Sequence, residues 1–340
     1  MLTKRRLLQT LAATLCTSGA WAQDATRARN ARAPSPAPAP TGWPSKPVRL
    51  LVGFPAGASP DLAARAIAEP LSKLLGQPVI VENRPGSSGN LAADQVAKAQ
   101  DDHTIGALIN GNLTIAKLLN PNTPFDPEKD FSPVSLIGTA PLVLAVSGDA
   151  TGANPEELLL WARNLGDSGK YGTPGVGTVG HLGMELLKTR TSIRATHVPF
   201  TGNPQVIEAM LGGKIQLALL PPGLAKPHVK SGKLKAVGVT SPERSPLFAE
   251  LPTLREANVR GADLEIWTAI AAPVSLPQTA VAKLNAALVE VVHSAEVQQR
   301  LLSAGWQANA GTTQSLAYRM RTDTTQLGGV ILMRGIRSDA

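Results

Sequence analysis

Short apolar runs alternate with amphipathic ones from Val48 onward, and this alternation limits the fold more than any other feature of the chain. Val48 to Gly53 is a brief apolar run, as expected of a parallel strand buried on both faces. Ser59-Pro60-Asp61 then opens a helix. Ser59 can cap it, Pro60 suits its first position, and Asp61 places negative charge in the first turn, where the helix dipole favours it. Leu62, Ala66, Ile67, Leu71, Leu74 and Leu75 follow at helical spacing, while Pro70 is expected to kink or split the helix. Residues 79–81 and 104–109 read as strands, 90–99 and 112–119 as helices. The same alternation recurs through strands at 142–147, 171–173, 195–198, 215–220 and 234–240, with helices at 155–165, 181–189 and 204–211. Three helices close the chain, at 279–293, 296–304 and 313–327. The pattern predicts an α/β chain with mainly parallel sheets.

The N-terminal segment reads as an address. Lys4, Arg5 and Arg6 form a positive region and residues 7–21 an apolar one, and Ala20-Trp21-Ala22 offers a cleavage site after Ala22. The apolar run is shorter than the ~20 residues of a membrane span. A periplasmic location is therefore expected, and Arg5-Arg6 also permits a twin-arginine route. The one cysteine, Cys16, lies inside this leader behind Leu15, which does not suit a lipoprotein site. The mature chain then has no thiol, which excludes thiol catalysis, disulfides and cysteine-held metals. Residues 23–42 carry Arg27, Arg29 and Arg32 and then proline at alternating positions from Pro34 to Pro40, the composition of an extended spacer. Of the formal charge of +8, the leader holds +3 and the spacer, with Asp24, +2, leaving +3 on residues 43–340. The folded part is nearly balanced, so no nucleic-acid partner is expected.

Four charge-poor loops run from strands into helices: Phe54-Pro55-Ala56-Gly57-Ala58-Ser59, Asn110-Gly111-Asn112, Gly175-Val176-Gly177-Thr178-Val179-Gly180, and Phe200-Thr201-Gly202-Asn203. Small residues let a ligand approach backbone N–H groups, and helix N-termini supply positive potential. Each loop alone could be a tight strand–helix connection; together they suit a small carboxylate. A helix end contributes at most ~2 kcal/mol to a partly buried anion, whereas micromolar binding needs ~8 kcal/mol. Several loops must therefore converge in a cleft between two lobes. The candidate ligand-binding residues from these loops are Phe54, Ala56, Gly57, Ala58, Ser59, Asp61, Asn110, Asn112, Gly175, Thr178, His181, Thr201 and Gly202.

Other chemistries find little support. Gly175, Gly177 and Gly180 match the dinucleotide fingerprint by letter, but Arg194 and Thr196 stand where it needs an acid. Gly86-Ser87-Ser88-Gly89 lacks the spacing of a nucleophile elbow. His181 and Glu185, one helical turn apart, could share a metal, but no third ligand is evident and a polar pair is the simpler reading; His181 could also donate to a ligand. Arg84 reads as a turn residue. No catalytic residue, cofactor or metal is expected.

A further set of motifs runs in order through residues 43–337. Trp43-Pro44 stands with Pro47-Val48-Arg49, then Phe54-Pro55-Ala56-Gly57, then Gln77-Pro78-Val79 leading into Val81-Glu82-Asn83-Arg84-Pro85-Gly86. Phe125-Asp126-Pro127, Asp130-Phe131-Ser132-Pro133-Val134, Gly177-Thr178 with His181-Leu182, and His197-Val198-Pro199-Phe200 come next. Leu211-Gly212-Gly213, Gly232-Lys233-Leu234, Leu251-Pro252-Thr253 and Trp267 complete the series. In these the chain resembles the Bug family, the substrate-binding receptors of tripartite tricarboxylate transporters. The resemblance implies a type II periplasmic binding-protein fold: lobe one over 43–145 and 267–340, lobe two over 146–266, a ligand cleft between them. It implies a carboxylate held by backbone amides and bridging waters, with Phe54, Ala56, Gly57, Ser59 and Asp61 in lobe one and Thr178 and His181 in lobe two. This chain departs from the family at Ala58, where a second glycine is usual, and at Thr201, where lysine is usual. It departs again at Pro221-Pro222, where an acid or amide is usual, and at Leu327, where tryptophan is common. These changes point to a ligand smaller or less polar than a tricarboxylate.

The expected function is capture of a small organic acid or amino acid by a monomeric periplasmic receptor that delivers it to membrane transporter subunits. Asp61 decides between the two ligand classes: facing the cleft it would favour an ammonium group. The rival readings are a sensor presenting its liganded form to a membrane receptor, and an α/β hydrolytic enzyme, for which no nucleophile–base pair is seen.

Overall fold

The computed structural model describes residues 42–338. The expected leader, and all of the expected spacer but Gly42, lie outside the described residues. The elements in chain order are β1 (Val48–Val52), α1 (Ser59–Leu75), β2 (Val79–Asn83), α2 (Asn90–Ala97), β3 (Thr104–Ile109), α3 (Asn110–Thr114), α4 (Ala116–Leu119) and β4 (Phe131–Pro141). Then come β5 (Val143–Ser147), α5 (Pro155–Asn164), β6 (Lys170–Thr173), α6 (Val179–Thr191), β7 (Thr196–Pro199), α7 (Asn203–Leu211), β8 (Leu217–Leu220), α8 (Pro222–Lys230) and β9 (Leu234–Val239). The chain ends with β10 (Glu265–Pro273), α9 (Gln278–His293), α10 (Ala295–Ser303), β11 (Gln307–Ala308) and α11 (Thr313–Arg334).

These strands form two sheets, ordered β11-β4-β10-β3-β1-β2 and β7-β6-β8-β5-β9. The β1–β2, β1–β3, β6–β7 and β6–β8 ladders are parallel, as the strand–helix alternation predicts. The expectation of mainly parallel sheets nevertheless needs correction: β10 runs antiparallel to β3 and β4, β11 to β4, and β5 to β8 and β9. The reason is the way the chain changes sheets. It leaves the first after Pro141, enters the second at Val143, and returns at Glu265 into a slot between β3 and β4. Strands laid down at such crossings run against their neighbours.

β4 and β10 carry few sequence signals of their own. The β4–β10 register shifts between Ala269 and Thr268 and again between Ile270 and Ala271, leaving Ile137 and Val134 unpaired against β10. Such bulges admit Pro133 and Gly138 into what is otherwise a continuous strand.

α1 corrects two local expectations. Its N-cap is Ala58, not Ser59, and Asp61 supplies the capping carboxylate by accepting from the Gly57 N–H at 2.8 Å. The helix also runs unsplit through Pro70. Ala63, Ala64, Ile67 and Leu71 are fully buried against α9 and α10, with Leu284, Leu288 and Leu301 in the same cluster. At ~1.5–3 kcal/mol for each large side chain removed from water, that face outweighs the ~3 kcal/mol proline penalty.

Both faces of each sheet are covered. In β1, Leu50 faces the α1–α9 layer while Leu51 faces a second cluster with Val96, Phe125 and Trp267. In β5, Leu144 and Val146 face one cluster and Val143 and Ala145 the other. α11 laces the sheets together: Leu316 and Met320 near its start pack with Trp267 of the first sheet, and Leu327, Val330 and Ile331 near its end pack with Leu144, Leu182 and Leu217 of the second. Leu327 thus fills a core position with a smaller side chain than the tryptophan common in the resembling family. Arg84 donates to Glu82 at 2.8 Å and so holds the turn after β2, the role expected of it.

Ile331 is 2% exposed. Ile331→Ala should cost ~2–4 kcal/mol of unfolding free energy, measured by urea titration; a loss under ~1 kcal/mol would mean that the end of α11 contributes little to the second core.

Candidate functional site

The ends of the parallel strands in the two sheets face each other across a small cavity of about 50 Å³, partly open to solvent. The first sheet contributes Phe54, Ala58, Ser59 and Pro60 after β1, Ile109 and Asn110 after β3, and Ile266 and Trp267 in β10. The second contributes Pro174, Thr178, Val179 and Gly180 after β6, Asn203 after β7, and Leu219 and Pro221 at β8. Leu142, between the sheets, and Trp306 complete the wall. The N-termini of α1, α6 and α7 all reach this space, and first-turn N–H groups have no partner within their own helix.

Five of the expected site residues therefore line one cavity: Phe54, Ala58, Ser59, Asn110 and Thr178. Thr178 caps α6; its hydroxyl donates to the Gly175 carbonyl at 2.8 Å and accepts from the His181 N–H. Asn110 donates to the Glu265 carbonyl at 3.3 Å, tying the loop after β3 to the chain's return into the first sheet. Ser59 Oγ and Asn203 Oδ1 are buried and have no hydrogen-bond partner among the described residues. Ser59 is 2% exposed and Asn203 6%. A buried polar atom left unpaired costs ~1–3 kcal/mol, so both are positions where a solute or water completes the structure.

The remaining expected residues lie outside the lining, for identifiable reasons. Asp61 turns away from the cavity into a polar knot with Arg65 Nε at 3.0 Å, Asn83 Nδ2 at 2.8 Å and the Gly57 N–H. Its charge is neutralised there, and the Gly57 amide is occupied. Ala56 and Thr201 are exposed. Asn112 donates to the Ser88 carbonyl at 3.1 Å and to Asn90 Oδ1 at 2.8 Å, which shapes the turn before α2. The glycines serve a different close approach from the one expected. A methyl on Gly175 would overlap Ser88 Oγ, one on Gly177 would overlap Leu119 Cδ1, and one on Gly202 would sit 3.0 Å from Pro55 Cγ. They make room for the opposite side of the cleft rather than for a ligand.

His181 lies beneath the 175–178 loop. Its Nδ1 accepts from the Gly177 N–H at 3.2 Å, and its ring stacks on His197 at 4.1 Å, with the Tyr171 ring 5.0 Å from His197 and 6.4 Å from His181. His197 Nε2 meets Thr173 Oγ1 at 2.6 Å. Burial, then the neighbouring His197, lowers the His181 pKa to about 4; burial does the same to His197. Both rings are neutral props for the loop. Glu185 does not join His181 over a metal. It accepts from Tyr171 Oη at 2.6 Å, Lys188 Nζ at 2.7 Å and Arg334 Nη2 at 2.7 Å. Burial alone would raise its pKa, but these partners outweigh burial and hold it at about 2. Among the described residues no cluster of three His, Cys, Asp or Glu could hold a metal ion.

Sequence reasoning missed most of the apolar wall. Asn203 closes a loop already singled out, so its signal was present. Leu142, Leu219, Ile266 and Trp306 carry no local signal, because only the chain crossings and the packing of α10 bring them here.

A two-sheet α/β molecule whose helix N-termini border an uncharged central cavity belongs to the class of bilobal solute-binding proteins. The model of the tripartite tricarboxylate transporter family receptor, TctC, matches residues 63–336, and the chain belongs to that family. A UPF0065 protein in the tcbD–tcbE intergenic region of Pseudomonas sp. (strain P51) is 32% identical over 285 residues, covering 83% of this chain and 84% of the relative. The structure of R. palustris Rpa4515 with adipate is 30% identical with a TM-score of 0.83, covering 87% of this chain and 99% of that one. The periplasmic binding protein BugD is 28% identical with a TM-score of 0.82, at the same coverage. The resemblance to Bug receptors and the type II binding-protein fold expected from the sequence both hold.

The two histidines set a pH dependence. Unfolded, each titrates near 6.5; folded, near 4. The unfolded chain takes up the extra protons, so stability present above pH ~6.5 is lost as pH falls toward 4. Glu185 acts in a lower window, from its ordinary 4.5 to about 2. Thermal unfolding from pH 7 to 5 should show a falling Tm, and the double variant His181→Asn/His197→Gln should flatten it; an unchanged slope would assign the effect elsewhere.

Proposed function

We propose that this chain is an extracytoplasmic receptor that captures a small carboxylate solute, as a monomer, and delivers it to the membrane subunits of a tripartite tricarboxylate-type transporter. One observation carries the reading. Three helix N-termini, the unpaired Ser59 hydroxyl and the Asn203 side chain, whose amide nitrogen can donate, border a cavity that holds no charged side chain. Such a site binds an anion by dipoles and hydrogen bonds and offers no nucleophile–base pair to transform it. The structure of Rpa4515 with adipate supports a carboxylate. The lobes divide where the chain changes sheets, near Leu142 and near Leu264, and the leader directs export with cleavage after Ala22. The Asp61 carboxylate, satisfied by Arg65, Asn83 and Gly57, is not available to an ammonium group, so the solute is a plain carboxylate rather than an amino acid.

A thermal-shift screen of mono-, di- and tricarboxylates, amino acids and neutral analogues tests this. A solute at ~100 times its Kd adds ~2.7 kcal/mol of stability, and carboxylates alone should do so. Stabilisation by amino acids only would reassign Asp61, and no response to any carboxylate would sink the reading. Ser59→Ala and Asn203→Ala should each weaken the best carboxylate by about tenfold, or ~1.4 kcal/mol. Gly177→Ala, which drives a methyl into Leu119, should weaken it by at least as much by holding the cleft open, seen as a reduced association constant in calorimetry.

A further inference from the structure

We infer that the solute is a monocarboxylate with an apolar body, aryl or branched alkyl, rather than a di- or tricarboxylate. The inference rests on the receptor reading above and narrows its ligand. The polar groups of the cavity are confined to the starts of helices: Ser59 in α1, Asn110 in α3, Thr178 and Gly180 at α6, Asn203 in α7. The Asn110 amide already donates to the Glu265 carbonyl at 3.3 Å, and the rest of the wall carries no charged side chain. Trp267 and Trp306 both line the cavity, but their indole N–H groups are already engaged, Trp267 with Asp323 Oδ2 at 2.6 Å and Trp306 with the Ser59 carbonyl at 3.0 Å. Neither has an indole donor left for a ligand.

The backbone around them is equally closed. The Leu142 N–H donates to Thr240 Oγ1 at 2.8 Å. Leu219 pairs with Leu144 in the second sheet, and Ile266 and Trp267 pair with Ala140 and Thr139 in the first. Pro221 and Pro222 open α8 and have no N–H to give, whereas the starts of α1 and α7 each lose only one, at Pro60 and Pro204. One carboxylate can sit among the helix starts with Ser59 and Asn203. A second would face leucine, isoleucine, proline and indole rings with nothing to replace its hydration. An aryl or branched alkyl group meets these apolar side chains at no such cost.

The test is a calorimetric titration of the full chain, dialysed free of co-purified solute, with phenylacetate, 4-methylpentanoate, succinate, adipate, citrate and the neutral phenylacetamide. The tryptophan fluorescence of the cavity wall gives an independent readout. One of the two apolar monocarboxylates should bind at least about tenfold more tightly than any of the polycarboxylates, and phenylacetamide at least about tenfold more weakly than phenylacetate. Succinate, adipate or citrate binding as tightly as the monocarboxylates would overturn the inference and leave the receptor reading standing. Phenylacetamide matching phenylacetate, or no binding by any of the acids, would overturn both.

Discussion

The cavity depends on how closely two sheets can bring their strand ends together. At the 175–178 loop the approach is so tight that the α-carbons themselves form the contact: Gly175 meets Ser88, and Gly177 meets Leu119. This proximity lets helix starts from both sides act on one small volume, where each alone is too weak to hold an anion. The buried histidine stack beneath the loop serves the same geometry. A neutral His181 accepts the Gly177 N–H, and His197 reaches Thr173, so the loop is held at two points from below.

Charge is managed by keeping it out of the cavity. Asp61 is consumed by Arg65 and the start of α1, Glu185 by Lys188, Arg334 and Tyr171, and Asp323 by Arg319 and Trp267. Each buried carboxylate has a cation and at least one further donor, the arrangement that offsets desolvation. What remains facing the solute is neutral. A receptor built this way can release its cargo, because no salt bridge has to be broken for the solute to leave.

Much of this could be read in the sequence, and the rest could not for specific reasons. The strand–helix alternation located β1, β3 and most helices, since parallel strands are continuous apolar runs and helix starts carry proline and small polar residues. The loops at 54–59 and 175–180 were recognised because glycine-rich connections into helices are rare elsewhere in the chain. β4 and β10 were invisible, because their bulges and prolines erase a strand signature. The contacts of Gly175 and Gly177 with Ser88 and Leu119 were not legible for a simple reason: a glycine that admits a ligand and one that admits the opposing lobe look alike in one dimension. Asp61 posed the same difficulty, as its partner Asn83 lies 22 residues away and is brought near only by the β1–β2 ladder.

The position of β10 has a kinetic consequence. It lies between β3 and β4, so those two strands share a sheet only once residues 265–273 arrive. The second sheet, by contrast, draws all its strands from one uninterrupted stretch, 143–239. Its contacts are nearer in sequence and its loop-closure entropy smaller. The strands of the second sheet can therefore pair without the C-terminal segment, whereas the first sheet is closed only by β10, and the second core is complete only once α11 packs on it. Both the sheet that carries the Phe54 to Ser59 loop and the second core thus wait on the C-terminal quarter of the chain, so the cavity's two sides are joined by the segment made last.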